Sequence, residues 1–181
     1  MPNFGFLPFS QFRTQRIKEI CIRLKELYKN ENIDVVFIQE AWLKRDRDFI
    51  KRQSGFPYCL DLDTKNIDSG LMILSRFPFD SYRRITYVNN IPLKIISFLS
   101  GEIFPNKSAI FGRMVVQKEG KKQKVWVGNT HLVSFYGSKI DPFFFIRKEQ
   151  FKDFLKGARS VAQKLPLILG GDWNFNFKNR L

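Results

Sequence analysis

Apolar positions along the chain follow two rhythms, and the alternation between them sets the expected architecture. Ile17, Ile20, Cys21, Leu24, Leu27 and Tyr28 recur three or four apart with Arg, Lys and Glu between them. That is the spacing of an amphipathic helix laying one face on a core. Asn30 and Asn32 punctuate its end, and Asp34 leads into Val35–Ile38. This run is apolar on both faces, as a strand covered on both sides must be. Leu43–Gln53 is heavily charged and reads as a short surface helix, stopped by Gly55-Phe-Pro57. Tyr58–Leu62 reads as a strand and Asp63–Ser69 as a polar turn. Gly70–Ser75 is a second buried-strand run closed by Arg76-Phe-Pro78, and the weak alternation of Ser81–Val88 suits pairing with it. Ala109–Gln117 and Lys124–Asn129 read as a hairpin joined through Lys118–Lys122. Phe151, Phe154, Leu155, Ala158, Val161, Ala162 and Leu165 restore the helical period within Phe143–Leu165. The chain then enters Leu167–Leu169, an apolar run bounded by Pro166 and Gly170-Gly171 that reads as a buried strand. Only Asn89–Asn106 follows no period. Ordinary packing is the favoured account of its apolar residues at 91–104, ahead of an apolar loop or a membrane-contacting flap.

Composition narrows the class. A chain of 181 residues fits one domain with a core of its own, and 44% hydrophobic with 15% aromatic residues excludes disorder. No repeat, low-complexity tract or linker divides it. The start, Met1 to Pro8, lacks the basic n-region and apolar core of a signal peptide. The longest apolar stretch, Ile91–Phe104, is broken by Lys94 and Glu102 and is too short to span a bilayer. Two cysteines make no disulfide framework, and Cys21 falls on the apolar face of the first helix as a small core residue. A reducing, cytoplasmic compartment is therefore expected unless the true N-terminus lies upstream. The net charge of +14 favours a polyanionic partner, either nucleic acid or an anionic membrane surface. The positive residues are spread over four segments, however, so solvated helix faces explain them as well as one dedicated patch does. Charge alone does not choose the substrate.

Candidate chemistry gathers where strands end. Val35–Ile38 runs into Gln39-Glu40, and a carboxylate there is costly unless paired, solvated or bound to a cation. Val125–Asn129 runs into Thr130-His131, and His131 is the only histidine. Gly170-Gly171 lets the backbone turn sharply and is followed at once by Asp172 and Asn174. Each feature alone has a plain reading: Gly, Asp and Asn are turn residues, and a lone histidine is more often structural than catalytic. Their shared position at strand ends, where ligands of open α/β sheets sit, is what raises them together.

Four segments occur in fixed order: Asp34-Val-Val-Phe-Ile-Gln-Glu40, Ser69-Gly-Leu-Met-Ile-Leu-Ser-Arg-Phe-Pro78, Gly128-Asn-Thr-His-Leu132 and Gly170-Gly-Asp-Trp-Asn174. Together they resemble the endonuclease/exonuclease/phosphatase superfamily, which includes deoxyribonuclease I and the neutral sphingomyelinases. The second and third segments lean toward the sphingomyelinase-like branch. The resemblance implies an α/β fold, a four-layer α/β/β/α sandwich of the deoxyribonuclease I type, with the site at one end of two packed sheets. It implies Glu40 as a ligand of magnesium (or manganese), with Asn3 as a possible second. It further implies Asp172 orienting or activating the attacking water, Asn174 holding a phosphate oxygen, and His131 stabilising the transition state or assisting the leaving group. A hard cation prefers such oxygen ligands, and an amide with an imidazolium can take the charge that develops during displacement. The expected activity is phosphodiester hydrolysis, on a phospholipid headgroup such as that of sphingomyelin. The alternatives are a nuclease of the same fold and an inactive remnant or basic binding module. The family pattern also has an opening strand ending in asparagine and a closing aspartate–histidine pair. Residues 1–181 are accordingly expected to form a partial domain without these, with an incomplete second sheet.

Overall fold

The computed structural model describes residues 12–87, 107–118, 120–134, 141 and 143–175. Asn3 and the aperiodic stretch at 91–104 lie outside them. Among the described residues the chain forms α1 (Arg13–Lys29), β1 (Val35–Ile38), α2 (Lys44–Gln53), β2 (Tyr58–Leu60), β3 (Met72–Ser75), β4 (Phe79–Thr86), β5 (Ser108–Lys118), β6 (Lys121–His131), α3 (Phe144–Ala162) and β7 (Leu167–Asp172).

The apolar run Met72–Ser75 is buried at every position because it lies between two neighbours and has both faces covered. β1 and β2 pair antiparallel with its two edges, giving a three-stranded sheet in the order β1-β3-β2. The second sheet has the order β4-β5-β6-β7, antiparallel except for the parallel β6–β7 pair. Strand alternation then sorts side chains between faces. Met72 and Leu74 join Cys21, Leu24 and Ile50 from α1 and α2. Leu71 and Ile73 join Ile110, Met114 and Val127 of the second sheet. On the far side of that sheet Ala109, Phe111 and Trp126 meet Phe154, Ala158 and Val161 of α3. Each large apolar side chain so buried contributes about 1.5–3 kcal/mol relative to its exposed state. The result is a mixed α/β fold with two sheets.

Three expectations change. The segment after Pro78 does not pair with the strand before it. β4 instead runs along β5, from Phe79↔Met114 to Thr86↔Ser108 with a bulge between Phe79 and Ser81. Both edges of β3 are already taken, so the long strand has no ladder left in the first sheet. β7 is not fully buried: Leu167 and Leu169 pack toward α3, whereas Ile168 is 52% exposed. Among the described residues β6 is its only ladder partner. The charged helix α2 is more than a surface element, because Arg47 is fully buried within it.

That burial is matched by partners. The Arg47 guanidinium donates to Asp61 (3.1 Å) and to the carbonyls of Trp42 (2.7 Å) and Lys65 (3.0 Å). Arg84 of β4 lies 3.1 Å from the buried carboxylate of Asp63 and 2.7 Å from Asp68. Asp63 also accepts from the Ser69 hydroxyl and the Gly70 amide, at 2.6 and 2.7 Å. Burial pushes its pKa above the ordinary aspartate value, and these hydrogen bonds oppose the rise. Together these groups hold the loop of residues 61–70 against the chain leaving β1. Backbone bonds from Ala41 to Gly70, Lys44 to Asn66 and Asp68 to Trp42 complete the seam.

Candidate active site

β1, β6 and β7 end on the same side of the molecule, and the hairpin brings the start of β5 there too. His131 closes β6 and lies in register with Asp172 of β7. Its Nε2 is 3.9 Å from the Asp172 carboxylate. That separation is too long for a direct hydrogen bond and leaves room for a bridging oxygen. The imidazole is buried, whereas the Asp172 side chain is 49% exposed. Asp172 accepts the Asn174 amide at 3.0 Å, an Asx-type turn that folds Asn174 back over the strand end. The Asn174 Nδ2 then donates to the Leu132 carbonyl at 3.1 Å. Histidine, aspartate and asparagine are thus brought together by two adjacent strand ends.

Glycine is required for this closeness at one position. Gly171 has φ +137°, and a Cβ there would fall 2.1 Å from the Thr130 carbonyl oxygen. Only a residue without a side chain lets β7 lie so near β6 and deliver Asp172 opposite His131.

Glu40 arrives from the other sheet. It follows β1 with φ 63°, in the left-handed region where a non-glycine residue is strained, and its side chain is exposed. Asn174, with φ 53°, shares that conformation. Among the described residues the Glu40 carboxylate makes no hydrogen bond or ion pair, so its oxygens are solvated and open to a cation. Two contacts relate it to the histidine side. Trp42, two residues on, lies with its ring centroid 5.6 Å from that of His131. Gln39, one residue before, donates to the Asn129 carboxamide at 2.8 Å.

Sequence reasoning missed Trp42, Asn129 and Lys107. Lys107 is buried, donates to the Leu132 carbonyl at 3.1 Å and has its ammonium 5.6 Å from the Trp42 ring centroid. It therefore shares an acceptor with Asn174, the carbonyl of the residue that follows the histidine. The signal was present in the hairpin: antiparallel pairing of Ala109 with Thr130 puts the start of β5 beside the end of β6. Beneath them the buried Tyr87 hydroxyl meets Thr130 Oγ1, which donates to the Ser108 carbonyl. Burial raises the Tyr87 pKa, so the phenol stays neutral.

Among the described residues no group of three or more His, Cys, Asp or Glu side chains converges as a metal cage. Magnesium does not need one, since it is commonly held by one or two carboxylates together with water and phosphate oxygens. A single exposed Glu40, whose neighbours Gln39 and Trp42 touch Asn129 and His131, fits that mode.

Fold and site define a two-sheet α/β protein with its polar residues gathered at strand ends, and comparison with known proteins gives that class a family. Residues 14–112 match the model of the endonuclease/exonuclease/phosphatase family, more than half of the chain, and the chain belongs to that family of magnesium-dependent phosphoesterases. The match takes in Glu40 and the Ser69–Pro78 segment, while His131, Asp172 and Asn174 lie beyond it. No curated protein matches the sequence. Among solved structures, a beta toxin variant from Staphylococcus aureus with bound magnesium ions is similar, with a TM-score of 0.59 and 20% identity over 88% of this chain and 60% of the other. Sphingomyelinase C from Streptomyces griseocarneus gives 0.63 and 18%, over 91% of this chain and 59% of its own. A humanized D. rerio TDP2 gives 0.64 and 15%, over 92% and 63%. At these identities the likeness is one of fold, of the deoxyribonuclease I type. The chain spans about 60% of the length of these structures.

Proposed function

We propose that this chain carries the site of a magnesium-dependent phosphodiesterase acting on a phospholipid headgroup of the sphingomyelin kind. The observation that carries the reading is the linkage of two strand ends: Gln39 and Trp42, on either side of Glu40, touch Asn129 and His131, and His131 lies beside Asp172 and Asn174. Glu40 would hold the metal, with Asn3 as a possible second ligand. The ion, magnesium or manganese, would neutralise phosphoryl oxygens and acidify bound water. Asp172 would orient the attacking water, a role supported by its exposure and its place 3.9 Å from His131. The Asn174 amide would hold a phosphate oxygen. His131, protonated, would take the charge that grows on the phosphoryl group or the leaving oxygen. Lys107 adds a second cation nearby. The three apolar clusters in series, helix to sheet, sheet to sheet and sheet to helix, support the reading of a four-layer α/β/β/α sandwich with an incomplete second sheet.

The similarity to sphingomyelinase C favours the lipid, and the charge of +14 favours nucleic acid as the second reading. Hydrolysis of sphingomyelin liposomes and of plasmid DNA, each with magnesium and with chelator, separates the two. The expected result is magnesium-dependent release of phosphocholine with little nicking of DNA. Glu40→Gln and Asp172→Asn should each remove it, by at least about 10²-fold, with the thermal midpoint unchanged. Parental rates in both variants would overturn the assignment.

A further inference from the structure

The face of β6 that looks into the space between the sheets carries Val125, Val127, Asn129 and His131 in alternation. Two apolar residues fill the inter-sheet core, and then comes a fully buried carboxamide. All of its hydrogen-bonding capacity that faces the first sheet is used. Asn129 Nδ2 donates to the carbonyls of Ile38 (2.8 Å) and Met72 (3.0 Å), which are partners in the last pair of the β1–β3 ladder. Its Oδ1 accepts from Gln39 Nε2 at 2.8 Å. One side chain on the second sheet therefore grips the first sheet at the residues immediately before Glu40, two positions ahead of His131 on its own strand.

We propose that Asn129, together with Gln39, is the positioning pair that sets the spacing between the Glu40 carboxylate and the His131 imidazole. The inference rests on the metal-site reading given above and deepens it. Hydrophobic burial between sheets is non-directional and does not by itself choose one spacing along the strands. Three directed hydrogen bonds in a dry interior remove that freedom. Partners that orient metal ligands in this way are commonly worth 10–100-fold in metal affinity. The strained backbone of Glu40 suits the same account, because a left-handed residue persists only where its flanks are held, here by Gln39 on one side and by the Ala41–Gly70 bond on the other.

His131 is the only histidine in the chain, so its imidazole gives a single set of ring resonances that reports on the site without turnover. The experiment follows those resonances, with and without a magnesium titration, in the parent, Gln39→Met, Asn129→Ala and Met114→Leu. Met114 lies in the same inter-sheet layer but pairs with Val125, far down the ladder from the site, and serves as the packing control. The expected result is a displaced His131 signal in Gln39→Met and Asn129→Ala, and a magnesium midpoint higher by about 10–100-fold, with both quantities parental in Met114→Leu. Folded Gln39→Met protein with parental resonances and midpoint would overturn the proposal, and so would an equal displacement in Met114→Leu. If Asn129→Ala does not fold, Gln39→Met decides alone. Should the parent's signal ignore magnesium altogether, the metal reading fails, and the positioning role is then judged by the displacement in Gln39→Met without metal.

Discussion

At the scale of single residues, the site depends on conformations that side chains ordinarily avoid. Glu40 and Asn174 are both left-handed, and Gly171 is extended in a way only glycine tolerates. Strain of this kind costs about 1–3 kcal/mol per residue and survives where neighbours enforce it. Asn174 is eased by its bond to Asp172, whereas Glu40 has no such local relief. Gly171→Ala is expected to cost at least about 1–3 kcal/mol, because the added methyl meets a backbone carbonyl that cannot step aside. It should also lower activity more than an equally destabilising core change, since β7 would be pushed from β6 and Asp172 from His131. Denaturant midpoints and turnover, compared with those of Ile73→Val, check both parts.

At the scale of elements, the loop of residues 61–70 is held by ions. Arg47 from α2 and Arg84 from β4 converge on Asp61, Asp63 and Asp68, and the seam they make runs beside the chain from Glu40 to Lys44. Removing one member of such a buried set leaves its partner uncompensated. Arg47→Ala is therefore expected to destabilise by about 3–5 kcal/mol, read as a fall in urea midpoint. Asp63 adds a pH signature. Its folded pKa is raised by burial, so its contribution to stability is fully present below the ordinary aspartate value and declines as pH rises through the folded value. Asp63→Asn should abolish that decline. The stability difference between parent and variant must then change with pH in the window just above the ordinary aspartate pKa and be flat beyond it. The same difference at every pH would show that Asp63 does not titrate on folding.

At the scale of the whole molecule, the positive residues among those described are spread over α1, α2, the β5–β6 hairpin and α3. A net charge of +14 predicts association with polyanions without regard to sequence. The expected behaviour is loose binding to duplex DNA that weakens steeply with salt, log affinity falling with a slope of about −0.9 per phosphate contacted. A fluorescence-anisotropy titration at several salt concentrations measures it. A flat slope would remove nucleic acid as a partner, while a steep one without cleavage keeps the lipid reading ahead of the nuclease one.

Much of this was legible without coordinates. Helical spacing marked α1 and α3, apolar runs marked β1 and β3, and the charged stretch after Leu43 was indeed helical. Local pattern is enough there because each element must bury its own face. Glu40, His131, Asp172 and Asn174 were marked because chemistry in α/β folds collects at strand ends, a rule that needs only the strands. What the pattern could not tell is which strand pairs with which. β4 joined the second sheet because both edges of β3 were filled, and edge occupancy is a property of the assembled sheet. The burial of Arg47, the lysine beside Trp42 and the amide bridge of Asn129 are contacts between residues distant in sequence, and no local period encodes them. By itself, then, the sequence determined most of the elements, the family and the residue types proposed for the site. Only the tertiary structure decided their partners and spacing, because the hydrogen bonds and ion pairs that set those distances exist only once two sheets have met.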